Sequence, residues 1–419
     1  MKKNELTIAD VFRKGLPGYL DAGNKLSLKQ WDVVNNILNC HTPELGGHVY
    51  ECDSCSSTRI HYNSCRDRHC PSCQSLARAS WIRKRTEELL PVGYFHVVFT
   101  IPSEFNLLVH YNREMLYDLL FKCVSRTLLM LGRDPKWLGA TIGFLCVLHT
   151  WGQTLIDHPH IHCIVAGGGI REDGKKWRSF RDNYLFPVKV MSRLFQRLFM
   201  TEFMKILRGG QCVIPPALSG GEMAKAIRAV RGKQWVVYAK ESFTSAGNVI
   251  NYLGNYTHRI AIANSRLLSM DDSHVNFSYK DHADDGAFKT MQLTVHEFIR
   301  RYLLHVLPHG LVRIRYYGFL SNRNRQSNIE KCMKLLKKKY QRTMQISTVK
   351  ELIFSLFKKD ITKCPHCSQG VFVLRSILAP SGHRIRTRKP RYSTHSSSSR
   401  RKKYRESTSF NKQSMPLRT

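Results

Sequence analysis

The sequence predicts an α+β fold with one central sheet. Three observations lead to this prediction. Runs with strand character and runs with helix character alternate between residues 94 and 320. Of the 419 residues, 42% are hydrophobic and 10% are aromatic, which is enough to bury a substantial core and excludes a wholly disordered chain. The length corresponds to two or three domains, so we expect further modules beside the sheet.

The N-terminal part of the chain combines helices with cysteines. Residues 1–39 are predicted to form a helical lead-in, because apolar residues recur there at nearly helical spacing. Six of the thirteen cysteines follow within residues 40–73. A basic helix is expected from Ser75 to Leu90, and Pro91 ends it. Residues 40–92 therefore form the second predicted domain.

The central region, residues 93–325, begins with an apolar, β-branched and aromatic run that predicts a buried strand at 94–101. Two further strands within residues 141–166 are joined by a polar turn and predict a hairpin. The remaining expected elements are helices at 104–132, 188–207, 245–258 and 292–306, and strands at 235–239, 275–280 and 311–319.

The C-terminal part differs in character from the centre. Residues 326–379 are predicted as a helical region that carries one C-x-x-C pair. From Pro380 to Thr419 there are twelve Lys or Arg residues against one Glu, a net charge of +11. This composition, together with a run of serines, predicts a disordered basic tail.

The charge of the chain indicates a polyanionic partner. There are 66 Lys and Arg against 31 Asp and Glu, a formal net charge of +35. A surface this basic gains free energy by releasing counterions from phosphates, so we expect nucleic acid. The alternative is a basic protein of ribosomal type. We expect no membrane partner and a cytoplasmic location, because neither a transmembrane run nor a secretory signal is visible.

The cysteine-rich segment predicts structural zinc. Cys52 and Cys55 form one C-x-x-C pair, and Cys70 and Cys73 form another after fourteen intervening residues. Each pair offers two thiolates from one tight turn, so the four side chains would complete one tetrahedral site. Such a closed site is structural, because it leaves no position open for a substrate.

A second zinc site is expected from the other candidates in the segment, Cys40, His48, Cys65 and His69. In chain order the eight candidates form four successive pairs. The first and third pairs would share one ion and the second and fourth pairs the other, as in a cross-brace. The alternative is that both histidines are ordinary surface residues, which leaves one zinc ion.

Another C-x-x-C pair, Cys364 and Cys367, stands alone near the C-terminus. A lone pair is a weak signal for a third zinc ion, because two more ligands must come from elsewhere. The candidates for these ligands are His366, His383 and Cys332.

The predicted hairpin brings three histidines together. His160 and His162 lie two residues apart on one strand and therefore point to the same face. The hairpin folds back around residues 154 and 155, which places His149 opposite His160. Three converging imidazoles predict a divalent-metal site with positions left open for a substrate.

A tyrosine pair follows downstream. Tyr252 and Tyr256 are four residues apart in the predicted helix at 245–258, so both phenol groups share one helical face. Two tyrosines at this spacing are more often packing residues than catalytic ones. Their place beside a metal hairpin in a basic protein favours a chemical role.

Six segments of the chain resemble a known family. The segments CHTPELGGHVYECDSC, YNSCRDRHCPSCQ, YFHVVFTIP, LHTWGQTLIDHPHIHCIVAGGG, NYLGNYTHRIAIANSR and RIRYYGFLSNRNR occur in this order across residues 40–325. Together they resemble the rolling-circle insertion-sequence transposases of the IS91 type, which are similar to other HUH endonucleases. The resemblance implies an antiparallel central sheet flanked by helices, a preceding zinc-binding domain at 40–92 and a tyrosine nuclease domain at 93–325.

The resemblance also implies a reaction. A tyrosine cleaves one DNA strand and forms a 5′-phosphotyrosine link, and a metal held by the histidines, Mg²⁺ or Mn²⁺, assists. Gln153, His158 and the tyrosine helix compete with His149 for the third ligand position. The partners would be single-stranded DNA at the transposon ends and target DNA, in a bacterial nucleoid, with the oligomeric state left open.

Six basic side chains are candidates for DNA contacts: Arg59, Arg66, Arg68, Lys240, Arg259 and Lys280. Three other functions compete with transposition. A non-catalytic zinc-dependent DNA-binding protein would leave the histidines without a role, and a zinc hydrolase would leave the tyrosines without one. A plasmid-type replication initiator or relaxase would use both, and only its substrate would differ.

Overall fold

The computed structural model describes residues 6–181, 184–243, 254, 261–281, 284–338, 348–358 and 360–381. All of them belong to one compact unit, Met1–His383. The predicted helix at 245–258, except Gly254, and nearly all of the predicted basic tail lie outside the described residues. No helix in the described ranges is long and apolar enough to cross a membrane.

A six-stranded sheet forms the centre of the fold. Its strands are β3 (Tyr94–Thr100), β4 (Thr141–Trp151), β5 (Asp157–Ile170), β6 (Trp177–Ser179), β7 (Val237–Phe243) and β11 (Ile314–Gly318). The order is β11-β4-β5-β3-β7, and β6 pairs with β5. Every neighbouring pair is antiparallel. The α+β class and the antiparallel central sheet predicted from the sequence are therefore confirmed.

One face of the central sheet is covered by α4 (Asn106–Tyr111), α5 (Arg113–Arg133) and α6 (Val188–Arg208). Every second side chain of each strand points to these helices. The contact is aromatic in part, since the rings of Phe99 and Phe195 meet with centroids 5.2 Å apart. These side chains are almost completely buried and supply the main hydrophobic core.

The opposite face of the sheet carries two kinds of side chain. Towards one end, Tyr94, Leu145 and Ile164 form a second apolar cluster. Residues of α3 (Gln74–Glu87) and α9 (Arg325–Leu335) pack against this cluster. Towards the other end, the same alternation along the strands presents histidines instead of aliphatic residues, and this end holds the site described below.

A separate three-stranded antiparallel sheet follows residues 245–258, the segment that contains Tyr252 and Tyr256, in the sequence. It consists of β8 (Leu267–Met270), β9 (His274–Asp281) and β10 (Ala287–Thr294). The next helix, α8 (Val295–Leu304), packs against this sheet. The helix predicted at 292–306 thus begins three residues later, because residues 292–294 still pair with β9.

The helical lead-in consists of α1 (Ile8–Asp21) and α2 (Leu28–Asn39). A capping box starts each of them, formed by Thr7 with Asp10 and by Ser27 with Gln30, so the sequence itself fixes where both helices begin. The apolar stripe of α1 packs on α8 and α2. Two further helices lie elsewhere among the described residues: α7 (Glu222–Gly232) and α10 (Val349–Phe357).

A third sheet joins the two ends of the described chain. Its strands are β1 (Gly47–Cys52), β2 (Thr58–Tyr62) and β12 (Phe372–Leu378), in the order β12-β1-β2. Cys52 pairs with Phe372, and Gly47 pairs with Leu378. Residues 326–379, predicted as a helical region, contain most of α9 and the later helix Val349–Phe357, and they end in the strand β12, which is held by long-range pairing with β1. We call this sheet, its loops and the adjoining cysteines the zinc module.

Candidate active site and cysteine centres

Three histidines of the central sheet lie together as the hairpin predicted. His149 on β4 is the register partner of His160 on β5. His162 points to the same face as His160, and the Nε2 atoms of these two residues are 3.0 Å apart. The rings of His149 and His162 have centroids 4.4 Å apart. All three side chains are buried, and one ring nitrogen of each lies within 4.8 Å of the others, close enough to hold one metal ion.

Hydrogen bonds at the outer ring nitrogens orient these imidazoles. Nδ1 of His160 lies 2.6 Å from the carbonyl oxygen of His158, so it donates a proton there. Nδ1 of His162 lies 2.8 Å from Nε2 of His96 on β3. With protons on both Nδ1 atoms, the Nε2 lone pairs of His160 and His162 face each other. This tautomer is the one that binds a metal through Nε2.

His96 is a member of the site that the sequence analysis missed. Its side chain is buried, and its ring stacks on that of His162 with an interplanar angle of 8°. The sequence does contain a sign of this role. His96 is the one strongly polar residue inside the run Tyr-Phe-His-Val-Val-Phe, which the sequence predicts as a buried strand. A buried polar group needs a hydrogen-bond partner, and the partner of the His96 ring is His162.

His96, His160 and His162 are held in their neutral form. Burial lowers the pKa of His160 to about 4, and burial together with the charge of Lys240 lowers the pKa of His96 to about 4. Burial, followed by the neighbouring histidines, places the pKa of His162 well below its ordinary value. Neutral imidazole is the metal-binding form, so His160 and His162 need no deprotonation before they bind a cation.

The edge strand β7 borders the histidine face. Lys240 is the register partner of His96, and Tyr238 is the partner of Val98. Alternation therefore places both side chains on the histidine side of the sheet. Tyr238 is 54% exposed and Lys240 is also exposed. Lys240, a predicted DNA contact, thus lies beside the histidine cluster. Lys280, another predicted contact, is exposed on β9 of a different sheet.

The predicted nucleophiles, Tyr252 and Tyr256, lie outside the described residues, as does Arg259. Gly254, between the two tyrosines in sequence, is helical and buried. It lies directly against Ile82 of α3, and a Cβ atom at this position would collide with the Ile82 side chain. Gly254 therefore contacts the helix that leaves the cysteine-rich region.

Four cysteines form a first cluster, which we call centre A: Cys40, Cys65, Cys70 and Cys73. The Sγ atoms of Cys65 and Cys73 are 3.7 Å apart. Cys40 follows the last turn of α2, and Cys73 immediately precedes α3. Hydrogen bonding from the neighbouring thiols lowers the pKa of Cys40 to about 7. Four converging thiols without an open position match the geometry of structural zinc.

The second cluster, centre B, consists of Cys52, Cys55, Cys364 and Cys367. The two C-x-x-C pairs face each other. The Sγ atoms of Cys52 and Cys367 are 3.7 Å apart, and so are those of Cys55 and Cys364. They form matching turns, since the residue after each pair, a serine in both cases, has a positive φ of 56° or 58°. Centre B thus unites ligands that are more than three hundred residues apart.

The grouping of cysteines predicted from spacing is therefore corrected. Cys52 and Cys55 do not join Cys70 and Cys73, and the lone pair near the C-terminus takes no ligand from His366 or Cys332. His383, the other candidate, lies outside the described residues. Local spacing could not reveal the true grouping, because strand pairing between β1 and β12 decides which thiols meet.

Neither predicted histidine ligand lies in a cysteine cluster. His69 is buried, its Nδ1 is 2.7 Å from a carboxylate oxygen of Asp67, and its Nε2 accepts a hydrogen bond from the backbone of Leu307 at 3.1 Å. Both ring nitrogens are thus occupied by protein contacts. His48 lies on β1, where its ring is 6.4 Å from that of Tyr50.

Three of the four arginines predicted to bind DNA lie among the described residues, and their surroundings differ. Arg68 donates to the carbonyl oxygens of Leu311 at 2.7 Å and Pro308 at 2.9 Å, so its guanidinium ties the cysteine-rich region to the segment after α8. That role leaves little of the group for a phosphate. Arg59 and Arg66 are exposed.

Comparison with known proteins agrees with this geometry. The family described as "Putative transposase" matches residues 143–328, and the family described as "Transposase zinc-binding domain" matches residues 11–101. The chain is 43% identical over 385 residues to "Putative transposase y4qJ" of Sinorhizobium fredii, covering 90% of this chain and 97% of that protein. It is 30% identical over 299 residues to "Transposase for insertion sequence element IS801" of Pseudomonas savastanoi pv. phaseolicola, covering 70% of each.

The chain belongs to the IS91-type transposases. It is therefore a DNA-cleaving enzyme, its partner is DNA, and it contains a zinc-binding domain. The match at 143–328 includes the three clustered histidines and the tyrosine segment. The match at 11–101 includes centre A but ends far before Cys364 and Cys367, so half of centre B lies beyond the transposase zinc-binding region.

Proposed function

We propose that this transposase cleaves and rejoins one DNA strand through a tyrosine, with a divalent metal held by His149, His160 and His162. The observation that carries the proposal is the convergence of three buried imidazoles on one face of an antiparallel hairpin. Imidazole nitrogen suits Mn²⁺ and similar cations, and Mg²⁺ is workable when phosphate oxygens complete its shell. When bound, the ion would polarise an oxygen of the scissile phosphate.

In this reaction the nucleophile is the phenol of Tyr252 or Tyr256. The phenolic oxygen forms a bond to phosphorus, the bond from phosphorus to the 3′-oxygen breaks, and the phenol proton leaves while the 3′-oxygen gains one. The products are a 5′-phosphotyrosine and a free 3′-OH. Because the new ester conserves the phosphodiester bond, attack by another 3′-OH reverses the step without a nucleotide cofactor. Two tyrosines would allow one strand end to be held while a second is cut.

Several other side chains support this chemistry. His96 would hold His162 in the tautomer that presents Nε2 to the metal, and the carbonyl of His158 would do the same for His160. Lys240, at the border of the histidine face, would neutralise charge on the pentavalent phosphate. Arg59, Arg66, Arg259 and Lys280 remain proposed contacts to DNA further along the strand.

We also propose that centres A and B each hold a structural zinc ion. Each has four thiols and no histidine or carboxylate, and Zn²⁺ prefers such a closed tetrahedral set. In this arrangement the zinc ions shape the surface that receives DNA, while the histidine site performs the reaction. The domain boundaries that follow are a zinc-binding domain at 40–92, completed by residues 360–378, and a nuclease domain at 93–325.

The test is a covalent adduct on single-stranded transposon-end DNA. Incubation of the full chain with Mn²⁺ should give a protein–DNA species that survives denaturation, and EDTA should abolish it. The double variant Tyr252→Phe with Tyr256→Phe should form none, because it lacks both phenols, and the exposed Tyr184→Phe variant should react like the parent. An adduct in the double variant would refute the assignment. A DNA-binding regulator or a zinc hydrolase predicts no adduct at all.

A further inference from the structure

A pocket of about 470 Å³ opens in the zinc module, and none of the clustered histidines lines it. Its walls come from both ends of the chain. Tyr50, Arg59 and His61 belong to β1 and β2, whereas Phe372 belongs to β12 and Ile361 to the segment after α10. The pocket therefore exists only when the C-terminal segment is joined to the N-terminal hairpin at centre B. Neither transposase family match includes this C-terminal wall.

The pocket lining combines apolar surface with one cation. The ring of Tyr50 meets that of His61 edge-on at 5.9 Å, and Tyr50 is the register partner of Arg59. Leu76 and Ile361 are 37% and 38% exposed. Among the described residues that line the pocket there is no carboxylate. An apolar slot with a cationic rim fits an uncharged planar ring on an anionic backbone, which describes an unpaired nucleotide.

The electrostatic surroundings favour the same ligand. Burial, followed by the charges of Arg59, His41 and His48, lowers the pKa of His61. The His61 ring therefore stays neutral near pH 7 and is available for stacking, while Arg59 supplies a permanent positive charge at the rim. The net charge of +35 on the whole chain adds a long-range attraction for phosphate.

Helix α3 connects this pocket with the tyrosine segment. Leu76, near the start of α3, lines the pocket, and Ile82 on the same helix contacts Gly254 between the two tyrosines. Six residues of helix span about 9 Å along the axis. A single strand that passes Gly254 thus needs only a few nucleotides to reach the pocket.

We propose that the pocket binds one unpaired base of the strand that is cleaved, a few nucleotides from the scissile phosphate. The base stacks on Tyr50, and the adjoining phosphate lies at Arg59. This inference rests on the proposed function, since it requires a single strand that enters the tyrosine site. It gives the C-terminal half of the zinc module a role in holding the substrate, in addition to its role in folding.

The experiment measures the affinity of the full, zinc-loaded chain for fluorescein-labelled oligo(dT) by anisotropy. Tyr50→Leu removes the ring but keeps apolar volume, and affinity should fall roughly tenfold, the scale of one lost base–aromatic stack. Tyr50→Phe keeps the ring and should bind within about twofold of the parent. Ile60→Ala is the matched control, because this side chain is 51% exposed on the other face of the same sheet.

Zinc content, measured by mass spectrometry, shows whether each variant keeps its fold. A Tyr50→Leu variant that keeps its zinc and binds oligo(dT) like the parent would overturn the proposal. A second measurement uses the unaltered chain and oligo(dT) carrying one iododeoxyuridine. Illumination should crosslink the base to the peptide that contains Tyr50 or to the one that contains Phe372, and a crosslink confined to other peptides would also overturn it.

Failure of this proposal can be distinguished from failure of the catalytic one. The double variant Tyr252→Phe with Tyr256→Phe should lose adduct formation and keep parental affinity for oligo(dT). If the parent forms no adduct but Tyr50→Leu still weakens binding, the pocket stands and the catalytic assignment falls. If adduct formation behaves as expected and Tyr50→Leu changes nothing, only the pocket proposal falls.

Discussion

The histidine site and centre B are built in opposite ways. The histidine site comes from one hairpin, in which His149 and His162 are only thirteen positions apart, and strand alternation sets its geometry. Centre B joins Cys52 to Cys367 across most of the chain, and a three-stranded sheet must assemble before its four thiols meet. The proposed chemistry therefore lies on a locally determined element. The surface proposed to position DNA depends on long-range contacts.

This difference predicts how each region responds to damage. A local site should lose its function without losing its fold, since the hairpin is packed against α4 and α5 on its other face. A site that closes a long loop should lose fold and function together, because metal binding and folding of such a module are one equilibrium. The experiments below separate these two behaviours.

The largest effect is expected at centre B. The double variant Cys364→Ser with Cys367→Ser should lower the zinc content from about two ions to about one per chain and release β12, because structural zinc sites stabilise small modules by about 10 kcal/mol or more. Mass spectrometry of the intact protein gives the zinc count, and hydrogen exchange reports protection of β1. Cys212→Ser, outside both clusters, is the control. Full zinc content in the double variant would show that centre B does not hold zinc.

A smaller energetic effect is expected at the histidine site, where only the rate of strand cleavage should change. His160→Ala should reduce the rate of strand cleavage by at least about a hundredfold, because it removes a ligand of the proposed metal, whose effect on the barrier is several kcal/mol. Affinity for single-stranded DNA and zinc content should stay close to those of the parent. His274→Ala, on β9, is the matched control. A parallel loss of affinity and cleavage would identify the cluster as a structural element.

A weaker effect is expected at His96, which contacts the proposed metal ligand His162 but is not itself a proposed ligand. His96→Leu removes the acceptor for Nδ1 of His162 and should weaken Mn²⁺ binding about 10- to 100-fold, the usual scale for such partners. His96→Gln retains an acceptor and should lose less. Calorimetric titration with Mn²⁺ measures both. Cleavage by His96→Leu should recover at high Mn²⁺; a rate that stays low at saturation would contradict a positioning role.

The smallest effect concerns the first residue of β5. Burial raises the pKa of Asp157 to about 6 from its ordinary 3.8, opposed by the charge of Arg113. The folded state therefore binds this proton more tightly than the unfolded state, so stability falls as the pH rises from about 4 to about 6 and stays lower above it. Asp157→Asn should remove this loss and stabilise the protein by about 1–3 kcal/mol at pH 8. Urea unfolding at pH 4 and pH 8 tests the sign; equal effects at both would contradict it.

Local patterns in the sequence were sufficient to predict the hairpin. Alternation places His160 and His162 on one face, the turn length places His149 opposite His160, and the structure shows this register. The strand at Tyr94–Thr100 and the helix at Val188–Arg208 also lie close to their predicted positions, since apolar periodicity and bounding prolines are local signals.

Contacts between distant segments could not be predicted in the same way. The sequence does not show that Phe372–Leu378 pairs with Gly47–Cys52, because a short strand with a mostly exposed face has no distinctive pattern. The regrouping of the cysteines follows from that pairing alone. His69 is predicted as a ligand because it remains among the cysteine and histidine candidates of the segment, but its ring contacts Asp67 instead. His96 was missed because its partner, His162, lies on another strand.

The most direct test of the account is the identity of the residue that carries the DNA. The adduct formed with Mn²⁺ on single-stranded end DNA is digested with a nuclease and trypsin, and mass spectrometry locates the modified tyrosine. We expect a nucleotide on Tyr252 or Tyr256, the tyrosines on either side of Gly254, which contacts α3. A nucleotide on Tyr238, which is exposed beside the histidine face, or on any tyrosine outside residues 245–259 would contradict it.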